Sequence, residues 1–252
     1  MAYRVIVDAG HGGRDPGAVY GDRKEKDDTL ALALELGSIL EQNGIDTVYT
    51  RTTDIYQTPY EKAQIGNQSG ADLFVSLHRN ASADPGSASG VETLVYDQTG
   101  DKVEIAENIN EQLASLGFAN RGVISRPGLV VLRRTNLPAV LVEAGFIDNE
   151  ADNERFDSQF SAVAQSIADG ILETIQADPA GGQTWQVQVG AFRVRELATQ
   201  QQNQLLQEGF PAYILYTDGL YKVQVGSYPT MEAAVQAEKQ LRAAGYSTFL
   251  TS

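Results

Sequence analysis

Tyr3-Arg4-Val5-Ile6-Val7-Asp8-Ala9-Gly10-His11-Gly12-Gly13 is the stretch from which the rest of the chain is read. A short apolar run with valines and an isoleucine predicts a buried strand, and the glycines after it permit a sharp turn that holds His11. The pattern recurs where Asp72-Leu73-Phe74-Val75-Ser76-Leu77 leads into His78-Arg79-Asn80. A third run, Pro138-Ala139-Val140-Leu141-Val142, closes on Glu143 and Gly145. His11 and His78 are the only histidines among 252 residues. In open α/β sheets, ligand-binding groups gather just past the carboxyl ends of strands. Three metal-competent side chains at three such ends predict one shared site.

Outward from these strands the pattern alternates. Leucines and Ile39 at helical spacings predict a helix over 28–42, stopped by Asn43-Gly44. Strands are expected over 45–50, 73–77 and 91–96, and helices over 60–68 and 102–116. Val130–Leu132 and Ala139–Val142 read as short strands, and Ser158–Ile175 as a closing helix. Such alternation predicts an α/β sheet with helices on both faces.

Ala177-Asp178-Pro179-Ala180-Gly181-Gly182-Gln183-Thr184 has linker chemistry. Beyond it lies a repeat: Trp185-Gln186-Val187-Gln188-Val189-Gly190-Ala191-Phe192 matches Tyr221-Lys222-Val223-Gln224-Val225-Gly226-Ser227-Tyr228. The match continues without gaps through Leu205/Leu241 and Gly209/Gly245. Each half reads strand, helix, strand, so together they predict a βαββαβ unit with one four-stranded sheet. Strict alternation turns Val187 and Val189 toward the helices and Gln186 and Gln188 away.

The net charge of −14 argues against nucleic acid as a partner, since phosphate binding needs basic patches. The acidic excess lies before residue 185, while the tail is balanced, so the two parts are built differently. No cysteine is present, which excludes disulfides and thiolate metal sites and suits an oxidising workplace. No apolar run approaches the roughly 18 residues of a membrane span. Met1-Ala2-Tyr3 leads straight into the first strand, so a chain without a leader, or a mature form, is expected.

Two histidines and a carboxylate are a recurrent catalytic zinc set that leaves one position for water. Asp8, Glu25, Asp27 and Asp28 all lie near His11 in sequence, and chemistry alone does not choose among them as third ligand. Asp8 is placed to orient His11 from behind instead.

A resemblance narrows the choice. Asp8-Ala9-Gly10-His11-Gly12-Gly13, Lys24-Glu25-Lys26-Asp27, Ser76-Leu77-His78-Arg79-Asn80-Ala81 and Leu132 through Asn149 together resemble the zinc-dependent N-acetylmuramoyl-L-alanine amidases, the type 3 family, over about residues 1–176. By that resemblance His11, Glu25 and His78 bind one zinc ion and Glu143 is the catalytic carboxylate. Such enzymes cut the amide between the lactyl group of N-acetylmuramic acid and L-alanine in peptidoglycan. Asn80, Arg133 and Arg134 lie beside the motifs and are candidate substrate contacts, against plain loop hydrogen bonding or surface charge. Only a short loop joins Asn80 to Val91, without the long helical insertion that blocks the site in some relatives, so an enzyme lacking that device is expected.

The tail, residues 185–252, resembles a SPOR domain. That implies binding to glycan strands stripped of stem peptides, through a sheet face offering Gln188 and Gln224 as hydrogen-bonding partners. The expected molecule is thus a three-layer α/β/α catalytic domain (1–176), a linker (177–184) and a small α+β domain (185–252). A monomer is expected to act at the bacterial cell wall, either outside the cell or released on lysis, as a host autolysin or a phage endolysin. A wall-binding protein without activity and a peptidase cutting inside the stem peptide are the competing readings. Mass analysis of digested muropeptides separates all three.

Overall fold

The computed structural model describes residues 3–177, 185–228 and 230–251. The expected linker lies outside them except for Ala177, which ends a helix. Internal packing divides the chain into two units, Met1–Gly170 and Ile171–Ser252.

The first unit runs β1 (Arg4–Ala9), β2 (Val19–Tyr20), β3 (Arg23–Lys24), α1 (Glu25–Gln42), β4 (Asp46–Tyr49), α2 (Pro59–Gln68) and β5 (Leu73–Asn80). It continues through β6 (Val91–Val95), α3 (Asp101–Ala114), β7 (Asn120–Ser125), α4 (Val130–Arg134), β8 (Ala139–Phe146) and α5 (Glu150–Ser158) into α6 (Phe160–Ala177). Six strands form one sheet in the order β4-β1-β5-β8-β6-β7. The first four are parallel, β6 runs antiparallel to β8, and β7 follows β6.

The inner strands are apolar on both faces because both faces are covered. On one, Ile6, Phe74, Leu94 and Leu141 pack with Val131 and Leu132 of α4 and Ile65 of α2. On the other, α1 lies against β1 and β5, and α3 against β6 and β8. Those helices bury Leu32, Leu36 and Leu40, and Ile105, Ile109 and Leu113, at helical spacing. The result is the expected α/β/α sandwich.

Three local expectations are corrected. Val130–Leu132 begins helix α4 instead of forming a strand, because its apolar side chains roof the sheet face beside α2 instead of joining it. The expected closing helix is α6, which starts after Gln159, but the separate helix α5 before it was not foreseen. Strand β7 was not foreseen, since its start, Asn120-Arg121, is exposed at the sheet's edge and carries no apolar alternation.

The second unit contains β9 (Trp185–Phe192), α7 (Arg195–Gln207), β10 (Ala212–Thr217), β11 (Leu220–Tyr228), α8 (Met231–Ala243) and β12 (Phe249–Thr251). Its antiparallel sheet has the order β10-β11-β9-β12. Val187, Val189, Val223 and Val225 face a core shared with Leu205 and Leu241, one from each repeat. This is the expected α+β arrangement, with each half's helix contributing to one core. Among the described residues, no helix is long and apolar enough to cross a membrane.

Candidate metal centre and active site

β1 delivers His11 on a turn that the surrounding structure over-determines. His11 has φ 59°, a left-handed conformation uncommon outside glycine. The carbonyls just before it are held from behind. Arg51 donates to Ala9 O at 3.1 Å and Gly10 O at 2.9 Å, Lys62 also donates to Ala9 O, and Thr29 Oγ1 donates to Gly10 O at 2.7 Å. Such clamping lets a strained residue persist.

Asp8 belongs to this support and does not touch His11. It is fully buried and accepts from Lys62 Nζ at 2.7 Å, Thr50 Oγ1 at 2.6 Å and Ser76 Oγ at 2.6 Å. Burial opposes its charge, but Lys62 beside it, with Ser76 and Thr50, holds the carboxyl below its ordinary range.

Glu25 opens α1, three residues earlier than the apolar spacing predicts. The positive end of the helix dipole favours a carboxylate there. Its Oε2 lies 3.0 Å from His11 Nε2 and its Oε1 2.8 Å from His78 Nδ1. Backbone N–H groups of Ala18 and Arg79 donate to the same carboxylate at 2.8 and 3.0 Å. Burial works against the charge, yet the two imidazoles hold the Glu25 carboxyl far below its usual range. Of the other nearby carboxylates, Asp28 is bound to Arg23 and Arg79, while Asp27 is exposed.

The donor atoms of His11, Glu25 and His78 all lie within 4.8 Å of one another, forming a candidate metal site. Two nitrogens and a carboxylate oxygen suit zinc as a catalytic ion. On the far side of His11, Asp15 Oδ2 lies 2.9 Å from Nδ1, which fixes the ring with Nε2 facing Glu25. Burial disfavours a charged His11, but Glu25 and then Asp15 raise it to about 9. Space is made by glycine. A Cβ at Gly10 would stand 2.6 Å from His78 Nε2, and one at Gly17 2.5 Å from Glu25 Oε2.

His78 and Glu143 lie within their strands instead of ending them, and they are register partners on β5 and β8. Glu92 of β6 is the next member of the same row. Glu143 Oε2 is buried and has no hydrogen-bond partner among the described residues. Burial above all pushes the Glu143 carboxyl up to about 7, against the pull of the His78 imidazole. A carboxyl poised there is suited to taking and returning a proton near neutral pH.

These groups line a cavity of about 440 Å³. Asn80 is on its wall, but its amide is engaged: Nδ2 donates to Glu92 Oε1 at 3.0 Å, and Oδ1 accepts from Ala81 N–H at 2.8 Å. Arg133 lines a separate cavity with Tyr96 and Lys102. Arg134 is exposed at the end of α4, and its carbonyl accepts from Asn67. In the second unit Gln188 is half-buried, whereas Gln224 is buried, accepting from Tyr213 Oη at 2.8 Å.

Sequence reasoning missed Asp15, Glu92 and Arg126, which also lines the cavity. Asp15 stands one helical-turn spacing from His11 and was legible as a second carboxylate of the loop. Glu92 enters from the amino end of β6, where the strand-end rule does not look. Arg126 follows β7, so it was lost with that strand.

A His–Glu–His cluster beside an unpartnered carboxylate, on the inner strands of an open α/β sheet, is the make-up of a metal-dependent hydrolase. Comparison with known proteins makes this particular. Residues 5–173 match the family described as N-acetylmuramoyl-L-alanine amidase, and residues 181–252 match the SPOR domain. The sporulation-specific N-acetylmuramoyl-L-alanine amidase of Bacillus subtilis is 31% identical over 222 residues, covering 85% of each chain. The endolysin of Bacillus phage SPP1 is 36% identical over 192 residues, 72% of this chain and 69% of that one. A solved N-acetylmuramoyl-L-alanine amidase from Clostridium difficile 630 is 33% identical and superposes with a TM-score of 0.66, covering 71% of this chain and 99% of that one. The chain belongs to the N-acetylmuramoyl-L-alanine amidase family and carries a C-terminal SPOR domain. It is a peptidoglycan hydrolase whose SPOR domain implies binding to peptidoglycan.

Proposed function

We propose that His11 Nε2, Glu25 and His78 Nδ1 hold one zinc ion and that Glu143 carries the proton in cleavage of the bond between N-acetylmuramic acid and L-alanine. The observation that carries this is the three-donor cluster facing a buried carboxyl oxygen without a partner. Zinc supplies polarisation of the amide carbonyl and lowers the pKa of water from 15.7 toward about 7. Glu143 Oε2 takes a proton from the attacking water and returns it to the departing L-alanine nitrogen, work worth roughly 10²–10⁴-fold. Asp15 keeps His11 in the tautomer that presents Nε2, and Arg51 and Lys62 hold the turn.

The test is a set of four alanine variants measured for bound zinc and for release of L-alanine amino ends. His11→Ala, Glu25→Ala and His78→Ala should lose metal. Glu143→Ala should retain it and fall in activity by at least the range above. Metal loss in the last variant, or activity near wild type, contradicts the assignment.

In this proposal residues 1–176 are the catalytic domain, 177–184 the linker and 185–252 the domain that holds glycan stripped of stem peptides. Its sheet is the contact surface, with the half-buried Gln188 on it and the buried Gln224 acting only through Tyr213. Asn80 lies at the substrate's margin, while Arg134, which does not line the cavity, would meet only a more distant part of the substrate. The loop of residues 81–90 contains no helix, consistent with an enzyme that needs no activator protein.

A further inference from the structure

The catalytic cavity has a floor and a far wall that the hydrolytic chemistry does not use. Past Glu143 and Glu92 it runs over Leu141 and Leu94, which pair in register across β8 and β6. It ends at Leu129 and Arg126. Two cations line it. Arg79 is committed, donating to Asp28 Oδ2 and to Asn153 Oδ1, each at 2.7 Å. Glu92, which also lines the cavity, is itself engaged by Arg121 at 3.0 Å. Arg126 has no carboxylate partner among the described residues; its one side-chain bond is a long 3.4 Å contact to the Ser125 carbonyl. Arg126 is exposed, so its guanidinium is open to a ligand that enters the cavity.

Its backbone is fixed on both sides. Arg126 N–H donates to Val95 O at 2.8 Å, and Arg126 O accepts from Leu129 N–H at 3.1 Å. Pro127 lies inside that closed turn and restricts it further. Arg126 is therefore presented by a rigid corner between β7 and α4. Since Ser125 pairs with Val95, Arg126 lies about 13 Å along the strands from the Glu92 level, at about 3.3 Å per residue. Its side chain lines the cavity and shortens that gap, leaving a span that two or three extended peptide residues cover.

We propose that Arg126 binds the free carboxylate of the stem residue that follows L-alanine, making the cavity selective for stems that carry this charge. The apolar floor accepts the peptide backbone's flank, and the planar fork of the guanidinium matches a carboxylate in bidentate fashion. The proposal rests on the peptide side of the scissile amide entering this cavity, as the amidase reading requires.

Two N-acetylmuramoyl-tripeptides test it, identical except that the second residue is glutamate with a free α-carboxylate or its carboxamide. The wild-type, zinc-loaded enzyme should prefer the carboxylate form through KM. Arg126→Gln should raise KM for that form roughly tenfold, leave kcat within about twofold, and leave the carboxamide form unchanged. Arg126→Lys should restore part of the preference. Equal losses on both substrates, or no loss on either, would overturn the role of Arg126. If the wild type releases L-alanine ends from neither substrate, the amidase reading itself fails, and this proposal with it.

Discussion

At the residue scale the structure depends on a buried charge pair behind the candidate metal site. Asp8 and Lys62 are both buried and 2.7 Å apart, with Thr50 and Ser76 satisfying the remaining acceptor sites of Asp8. Removing one partner strands the other, so Asp8→Asn should cost about 3–5 kcal/mol in urea unfolding. A cost under about 1 kcal/mol would show that the pair is not a structural determinant. The pH dependence has a definite sign. The Asp8 carboxyl titrates lower when folded than when unfolded, so its stabilisation is full above about pH 4. It drains away as pH falls toward the depressed folded value. Wild type and Asp8→Asn should therefore converge in stability on acidification. Asp8 was legible in sequence as a polar residue ending an apolar strand, but not its partner, because Lys62 is 54 residues away and reads as an exposed helix lysine.

At the element scale, close packing of helices sets what the sheet can carry. Gly170 in α6 abuts α3 so closely that a Cβ would stand 2.5 Å from Ile109 N. Gly170→Val should force the helices apart and cost about 1–3 kcal/mol, measured as a lower midpoint of thermal unfolding. An unchanged midpoint would mean that the interface relaxes freely. Periodicity identified β1, β5, β8 and α1, because strands buried on both faces and a helix with one apolar face leave strong patterns. It failed for β7 and α4. β7 lies on the edge, and α4 is too brief for a helical period to be distinguished from an apolar strand. It also ended β5 and β8 too soon, since His78 and Glu143 look like loop residues until their register pairing is seen.

At the scale of the whole molecule, the candidate metal site and the SPOR domain belong to separately packed units. The enzyme's reaction strips peptide from glycan, and the tail is proposed to hold stripped glycan, so product would retain the enzyme on partly digested wall. Deleting residues 177–252 should then weaken binding to amidase-treated sacculi far more than it slows hydrolysis of small soluble muropeptides. Equal loss of both would sink the product-retention idea.

The sequence by itself determined the layer architecture, the repeat in the tail and both histidines of the site, because these are written in local pattern and in rare residues. It also pointed to Glu25 and Glu143, through motifs quoted whole. Only the tertiary structure decided which carboxylate stands between the imidazoles, that Glu143 and Glu92 share a row with His78, and that Arg126 lines the same cavity. Those facts depend on strand order, on the reversed direction of β6 and on register. Such features are set by long-range packing, and no short window of the chain encodes them.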